Sequence, residues 1–304
     1  MIEAVNVQDR QDGSNHLELD RETFRANFNR CPFTVKHHLA HHPLFTLKRL
    51  VALAHSLPPE HVKYNSGVVP LTQGLYRGPQ TGLSIEETLY QLEECNSWMV
   101  IKWIEKDPAY RELLDQCLNQ IQDLSEPFDP GMCKREGFIF VSSPGAITPY
   151  HMDPEYNFLL QIRGHKRLHF FDGSDRSILS EQELEDYMES GSNYDLKYDS
   201  KYQERLNVAL TPGVAVHVPV TTPHWVENGN EVSISLSITF RTKASERRSI
   251  VYEVNSRLRH MGLTPRPFNR SPLLDTAKYQ TFRVLRRTKR LLGRTAPEET
   301  SRPY

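Results

Sequence analysis

From Gly137 to Phe240 the chain breaks into short runs rich in β-branched and aromatic residues, each closed by turn residues. The runs are Phe138 to Ser142, Asn157 to Ile162, Arg167 to Phe171, Asn207 to Leu210, Val214 to Val218 and Val232 to Phe240. Arg163-Gly164, Asp172-Gly173, Pro212-Gly213 and Asn228-Gly229 punctuate them. Parallel pairing needs long crossovers, usually helical, and this region has no regular series of them. The pattern predicts an antiparallel barrel or sandwich.

The flanks read differently. Phe45, Leu47, Leu50, Val51, Leu53 and Ala54 recur at helical spacing up to the Pro58-Pro59 stop. Ser84 and Glu87 form a capping box that opens a helix through about Cys95, and a further helix is expected from Pro108 to Leu124. Residues 1–130 therefore read as a mainly helical region, with short strands such as Trp98 to Trp103, packing on a β core at 131–242. A charged insertion at 180–205 interrupts the core, opening with a second capping box at Ser180 and Glu183, and it suits a lid or side wall. Residues 243–304 return to helix, at Ser249 to Leu263 and again over 273–293. There Arg283, Arg286, Arg287, Lys289, Arg290 and Arg294 make a basic run, read chiefly as a solvated helix face. Terminal helices of this kind can also build a homodimer.

Charge and cysteine usage narrow the partners. Lys and Arg number 37 against 38 Asp and Glu, a formal charge of -1, so no global attraction to nucleic acid or membrane is expected and no specific nucleic-acid partner is read. Cys31, Cys95, Cys117 and Cys133 show no CxxC spacing, which argues against a zinc knuckle or a redox pair. With a polar first stretch and no apolar run long enough for a transmembrane segment, the expected setting is reducing and cytoplasmic.

The chemistry concentrates in Thr148-Pro149-Tyr150-His151-Met152-Asp153 and, far downstream, Pro223-His224-Trp225. His151 and Asp153 are two apart, so on a strand they share one face, and a barrel can return His224 beside them. Two imidazoles and one carboxylate suit non-haem Fe(II), leaving cis positions open, although zinc takes the same three ligands.

Residues 137–242 resemble the jumonji-type, cupin-like 2-oxoglutarate oxygenases, close in pattern to the asparaginyl hydroxylase branch. The matching runs are TPYHMDPEYNFLLQIRGHKRLHFF, which starts at Thr148, and TPGVAVHVPVTTPHWVENGNEVSISLSITF, which starts at Thr211. The resemblance implies a double-stranded β-helix core with helical flanks and Fe(II) held by His151, Asp153 and His224. It implies that Lys166, fifteen residues after His151, and Thr148 bind the distal carboxylate of 2-oxoglutarate, with Asn157 a lesser pocket residue. Decarboxylation to succinate coupled to hydroxylation of a protein side chain or a small metabolite follows by the same resemblance. Where that branch carries an asparagine on its last core strand, this chain reads Ser-Ile-Ser-Leu-Ser-Ile-Thr.

Independently of the resemblance, a dianion inside a barrel needs a fixed cation, which Lys166 with the Thr148 hydroxyl can supply. Arg163 and Arg167 should face away, and Arg241 is the alternative clamp. His217 reads as a packed strand histidine, and His37, His38, His41 and His42 as a polar loop and helix start. His165 and His169 read as strand-surface groups. Tyr150, Trp225 and Asn228 either line the pocket or back it. Ser233, Ser235 and Ser237 share a face that is either the barrel interior or an outward polar surface. Two other functions stay open: a non-catalytic cupin-like metal- or ligand-binding module, and a zinc or manganese cupin enzyme.

Overall fold

The computed structural model describes residues 15–72, 78–191 and 196–291. Residues 1–14, residues 192–195 of the insertion, the side chains of Lys289 and Arg290, and Arg294 lie outside the described residues.

Twelve strands form two antiparallel sheets among the described residues. The large sheet takes β1 (Leu17–Glu18), β2 (Phe33–His37), β3 (Val62–Ser66), β4 (Ser97–Lys102), β5 (Cys133–Ser142), β7 (Tyr156–Arg163), β10 (Val214–Val218) and β12 (Ser233–Arg241). Its order is β1-β2-β10-β7-β12-β5-β4-β3. The small sheet takes β6 (Ile147–His151), β8 (Lys166–Phe170), β9 (Leu206–Leu210) and β11 (His224–Asn228), in the order β6-β11-β8-β9. This is a double-stranded β-helix with helical flanks.

The two faces of the large sheet have different chemistry. On β12, Ile234, Leu236, Ile238 and Phe240 belong to the main apolar core, with Phe24 of α1 (Arg21–Asn27) and Phe28 just after it, Leu50 and Leu53 of α2 (Leu47–Ser56) and Tyr110, Leu114 and Ile121 of α4 (Pro108–Ser125). The alternate residues Ser233, Ser235, Ser237 and Thr239 are equally buried and occupy the opposite face. The hydroxyls there meet Gln161 and Asn157 of β7, so the serine ladder lies inside the barrel rather than on an outward face. Between the sheets a second apolar cluster joins Leu159, Leu168, Phe170, Val216, Val218 and Val226. Both faces of β7 and β12 are therefore covered, which explains their near-continuous burial.

Several elements depart from the sequence expectation. Besides the strand expected near Trp98 to Trp103, which is β4, the 1–130 stretch supplies β1 to β3, so that it forms half of the large sheet. β2 alternates buried and exposed residues over only five positions, and its polar Thr34 and Lys36 obscure the apolar period. In the core, β6 and β11 join the six expected strands. Pro149 lies within β6, and a proline demotes a run in the sequence, but β6 is the edge strand of the small sheet, where the missing N–H is tolerated. The helix opened by Ser84, α3 (Ile85–Tyr90), stops before Cys95, because the chain turns at Gln91 and Asn96 adopts φ 46° to enter β4. The helix expected from Ser249 starts earlier as α6 (Lys243–His260), capped by Thr242, whose Oγ1 accepts from Ser245 N. The insertion opens as α5 (Glu181–Ser190) with the expected Ser180 and Glu183 capping box, and α5 packs on α6. α7 (Pro272–Leu291) closes the described chain. Among the described residues no helix is long and apolar enough to cross a membrane.

Candidate metal centre

β6 and β11 run antiparallel with His151 directly opposite His224, and their rings lie 4.2 Å apart. The two imidazoles are oriented alike. His151 Nδ1 lies 2.7 Å from the carbonyl oxygen of Pro149, and His224 Nδ1 lies 2.9 Å from that of Thr222. A carbonyl only accepts, so each Nδ1 carries the proton and each Nε2 keeps its lone pair for a ligand. Burial, and then the neighbouring His224, pull the His151 pKa down to about 4, leaving it neutral at physiological pH.

Asp153 does not share a strand face with His151 as the spacing suggested. His151 is the last residue of β6, and Asp153 lies in the following loop. Its carboxylate still comes within reach, Oδ1 standing 3.9 Å from His151 Nε2, and the ligand atoms of His151, Asp153 and His224 all lie within 4.8 Å of one another. Asn157 Nδ2 donates to Asp153 Oδ2 at 2.8 Å, while Ser237 Oγ donates to Asn157 Oδ1 at 2.8 Å. The loop before His224 is fastened to the same place: Thr221 N donates to the Asp153 carbonyl oxygen at 2.8 Å, with Thr221 held at φ 59°. Gly173 packs beneath it so closely that a Cβ would stand 2.6 Å from Thr221 O. Strained backbone at such a site is a recurring feature of functional loops.

Lys166 opens β8, opposite Asn228 of β11, and points into the cavity that the three ligand residues border. The turn before it needs Gly164, at φ 70°, where a Cβ would meet Val232 O at 2.4 Å. Lys166 is buried and, among the described residues, makes no hydrogen bond or ion pair; burial alone pulls its pKa down to about 7. Thr148, Asn157, Ser237 and Thr239 add polar groups to the same walls, and Phe138, Phe140, Leu159 and Val226 add apolar ones.

Arg163 and Arg167 face outward as expected, Arg167 bonding Asn207 at 2.9 Å. Arg241 is committed elsewhere, in a buried ion pair with Glu155. Glu155 and Tyr187 of α5 line the cavity and were not singled out from the sequence. Glu155 sits only two residues beyond Asp153, a signal that was available, whereas Tyr187 depends on how the insertion folds back. His217 is packed among Phe28, Phe33 and Phe158, taking a hydrogen bond from Asn29 N at 3.2 Å. His37 is buried with its ring bonded to Gln161 O, and His42 caps a short turn, so the histidine cluster does not converge. His165 pairs with Glu231, and His169 stacks on Trp225 at 3.9 Å between Glu204 and Glu227. Tyr150 packs with Phe171 and Tyr198, and Asn228 bonds Ala146 O at 2.7 Å, so both back the site rather than line it. A second potential ligand group among the described residues, Asp186, Glu189 and His260, is already engaged by Ser256 and Arg257.

No protein-family model matches the sequence. A segment of 118 residues is 33% identical to HSPB1-associated protein 1 of Rattus norvegicus, covering 36% of this chain and 24% of that relative. The Homo sapiens protein of the same name is 32% identical over the same length and coverage. The match thus spans less than two thirds of either relative. Among solved structures, the fold resembles the crystal structure of Escherichia coli ribosomal oxygenase YcfD, with a TM-score of 0.50 and 16% identity over 88% of this chain and 67% of that one. YcfD in complex with cobalt and 2-oxoglutarate gives 0.52 and 16%, covering 89% and 67%. The likeness to the solved structures shows a shared fold, a cupin-like double-stranded β-helix flanked by helices.

Proposed function

We propose that the chain is an Fe(II)- and 2-oxoglutarate-dependent oxygenase that hydroxylates a protein side chain or a small metabolite. The observation that carries the reading is a buried lysine without a counter-ion, Lys166, in the same cavity as two imidazoles and a carboxylate whose ligand atoms converge. The solved YcfD complex with cobalt and 2-oxoglutarate supports it by shared fold.

In this reading His151 Nε2, His224 Nε2 and Asp153 Oδ1 would hold the metal, and Lys166 with the Thr148 hydroxyl would receive the distal carboxylate of 2-oxoglutarate. Bound there, Fe(II) and 2-oxoglutarate supply oxygen activation coupled to decarboxylation to succinate. The chain's own residues orient and exclude. Pro149 O and Thr222 O fix the imidazole tautomers, Asn157 and Ser237 fix the carboxylate, and Phe138, Phe140, Leu159 and Val226 keep the cavity largely apolar. No side chain has to act as nucleophile or general base. Four unpaired cysteines support a reducing, cytoplasmic setting. Leu273, Leu274, Val284 and Leu285, exposed on α7, suit packing against a second copy.

The reading is tested by anaerobic titration of the Fe(II)-reconstituted protein with 2-oxoglutarate, followed by visible absorbance. A weak charge-transfer band that is lost in Asp153→Ala supports chelated cosubstrate on triad-held iron. Its absence from folded, iron-loaded protein would instead favour a cupin-like binding module or a zinc or manganese enzyme.

A further inference from the structure

Arg248, in the second turn of α6, is only partly exposed, and two of its guanidinium nitrogens, Nε and Nη2, are fully buried without a hydrogen-bond partner. These two are the pair whose N–H bonds run parallel on one edge of the guanidinium, the fork that grips two oxygens of a carboxylate or phosphate at once. Among the described residues Arg248 makes no ion pair.

The carboxylates of its helix and of the neighbouring elements have other partners. Asp129 accepts through Oδ2 from Tyr156 Oη and from Thr242 Oγ1, the latter at 2.9 Å. On the same helix Glu246 pairs with Lys134, and Glu253 with Arg257 and Arg286. Glu181 pairs with Arg176. The neighbouring Arg247 also has a bare Nε, but its Nη2 is bonded to Thr276 on α7, leaving no free fork.

The location ties Arg248 to the metal cavity. On α6 it lies one turn before Tyr252, on the same helix face, and follows the capping residue Thr242, whose hydroxyl donates to the same Asp129 oxygen as the Tyr156 hydroxyl. Tyr156 directly follows Glu155 at the start of β7, and Tyr252 packs in one cluster with Tyr187; Glu155 and Tyr187 both line the cavity. Arg248 thus lies on the stretch of α6 between Thr242, which is joined to Tyr156 through Asp129, and Tyr252 of the α5–α6 cluster. A buried, charged donor pair left unmatched is among the costliest polar arrangements a fold can hold, and a ligand with two adjacent oxygens removes that cost.

We infer that Arg248 is an anchoring site for an oxyanion, a carboxylate or phosphate carried by the substrate, gripped through Nε and Nη2. That this oxyanion belongs to the substrate rests on the oxygenase reading; that Arg248 binds one does not.

The test uses the full chain without metal or 2-oxoglutarate, comparing thermal unfolding of wild type and Arg248→Met in chloride, acetate and phosphate at matched ionic strength. Acetate or phosphate should raise the wild-type midpoint above its chloride value and leave Arg248→Met where chloride leaves it. Acetate alone acting marks a carboxylate site, and phosphate alone a phosphate site. In chloride the variant should be at least as stable as wild type, since an apolar side chain of similar length replaces unsatisfied donors. Equal ion effects in both proteins, or a variant clearly less stable in chloride, would overturn the assignment. Neither result touches the oxygenase reading, whose iron titration is a separate measurement. If Arg248→Met fails to fold, Arg248→Lys, which keeps the charge but loses the fork, should show a smaller ion-induced rise than wild type, and an equal rise would overturn the assignment.

Discussion

The side-chain amide of Asn157 donates to Oδ2 of Asp153 at 2.8 Å, and Ser237 Oγ donates into the amide oxygen from the other side. A carboxylate can only accept, so the amide has one workable orientation, and Asp153 Oδ1 is left toward His151 Nε2. Asn157, which also lines the cavity, is thereby placed to hold the Asp153 carboxylate in position. Partners of this kind typically contribute about 10–100-fold in metal affinity. Asn157→Ala should weaken Mn(II) or Co(II) binding by about that factor in calorimetric titration, and Ser237→Ala by a smaller one. Affinities equal to wild type in both variants would detach the relay from the metal site.

His224→Ala should abolish 2-oxoglutarate-dependent succinate formation while the far-ultraviolet circular dichroism stays that of a folded chain. The ring is buried against His151 and Phe170, so a loss of about 1–3 kcal/mol of stability is expected. That is a fraction of the ordinary stability of a domain. Retained turnover would remove His224 from the ligand set.

The barrel strands were legible because their apolar runs and turn glycines are local signals, and Gly164 and Pro212-Gly213 stand where the chain reverses. His151, Asp153 and His224 were legible as residue types at a spacing, yet their meeting depends on β6 pairing with β11, and Pro149 hides β6 from a strand reading. The serine ladder of β12 could not be assigned to a face from sequence, because alternation specifies two faces without saying which is inside. Gln161 and Asn157, opposite it on β7, decide the matter only in three dimensions. Likewise, Arg241 looked available as a clamp until Glu155 was seen to hold it.

Lys166→Ala should weaken 2-oxoglutarate binding by about 10–150-fold, the range for a hydrogen bond to a charged group, and change metal affinity far less. Equal cosubstrate affinity in wild type and variant would place the clamp on another cation. The wild type makes a further prediction. Burial holds the Lys166 pKa at about 7, so near pH 8 the amine is largely neutral before the dianion arrives. Binding should therefore draw in up to about one proton, read by calorimetry in two buffers of different ionisation enthalpy at pH 8. Without ligand the sign runs the other way for folding: the unfolded lysine binds more protons from pH 7 to 10.5, so this group makes the protein more stable as pH rises through that window.

Two buried histidines outside the candidate ligand set should make the fold sensitive to acid. Burial pulls His37 down to about 4 and His217 to about 3, against 6.5 when unfolded. Both folded values lie below the unfolded one, so the stability they allow is complete above pH 6.5 and is lost as the pH falls toward 4. Each contributes up to about 1.4 kcal/mol per pH unit within its window. The urea midpoint should fall steeply between pH 6.5 and 4.5. His217→Phe fits among Phe28, Phe33 and Phe158 but gives up the hydrogen bonds with Asn29 N and Asn157 O. It should be less stable at pH 7 and show a shallower acid slope. Identical slopes in wild type and variant would assign the acid sensitivity to other groups.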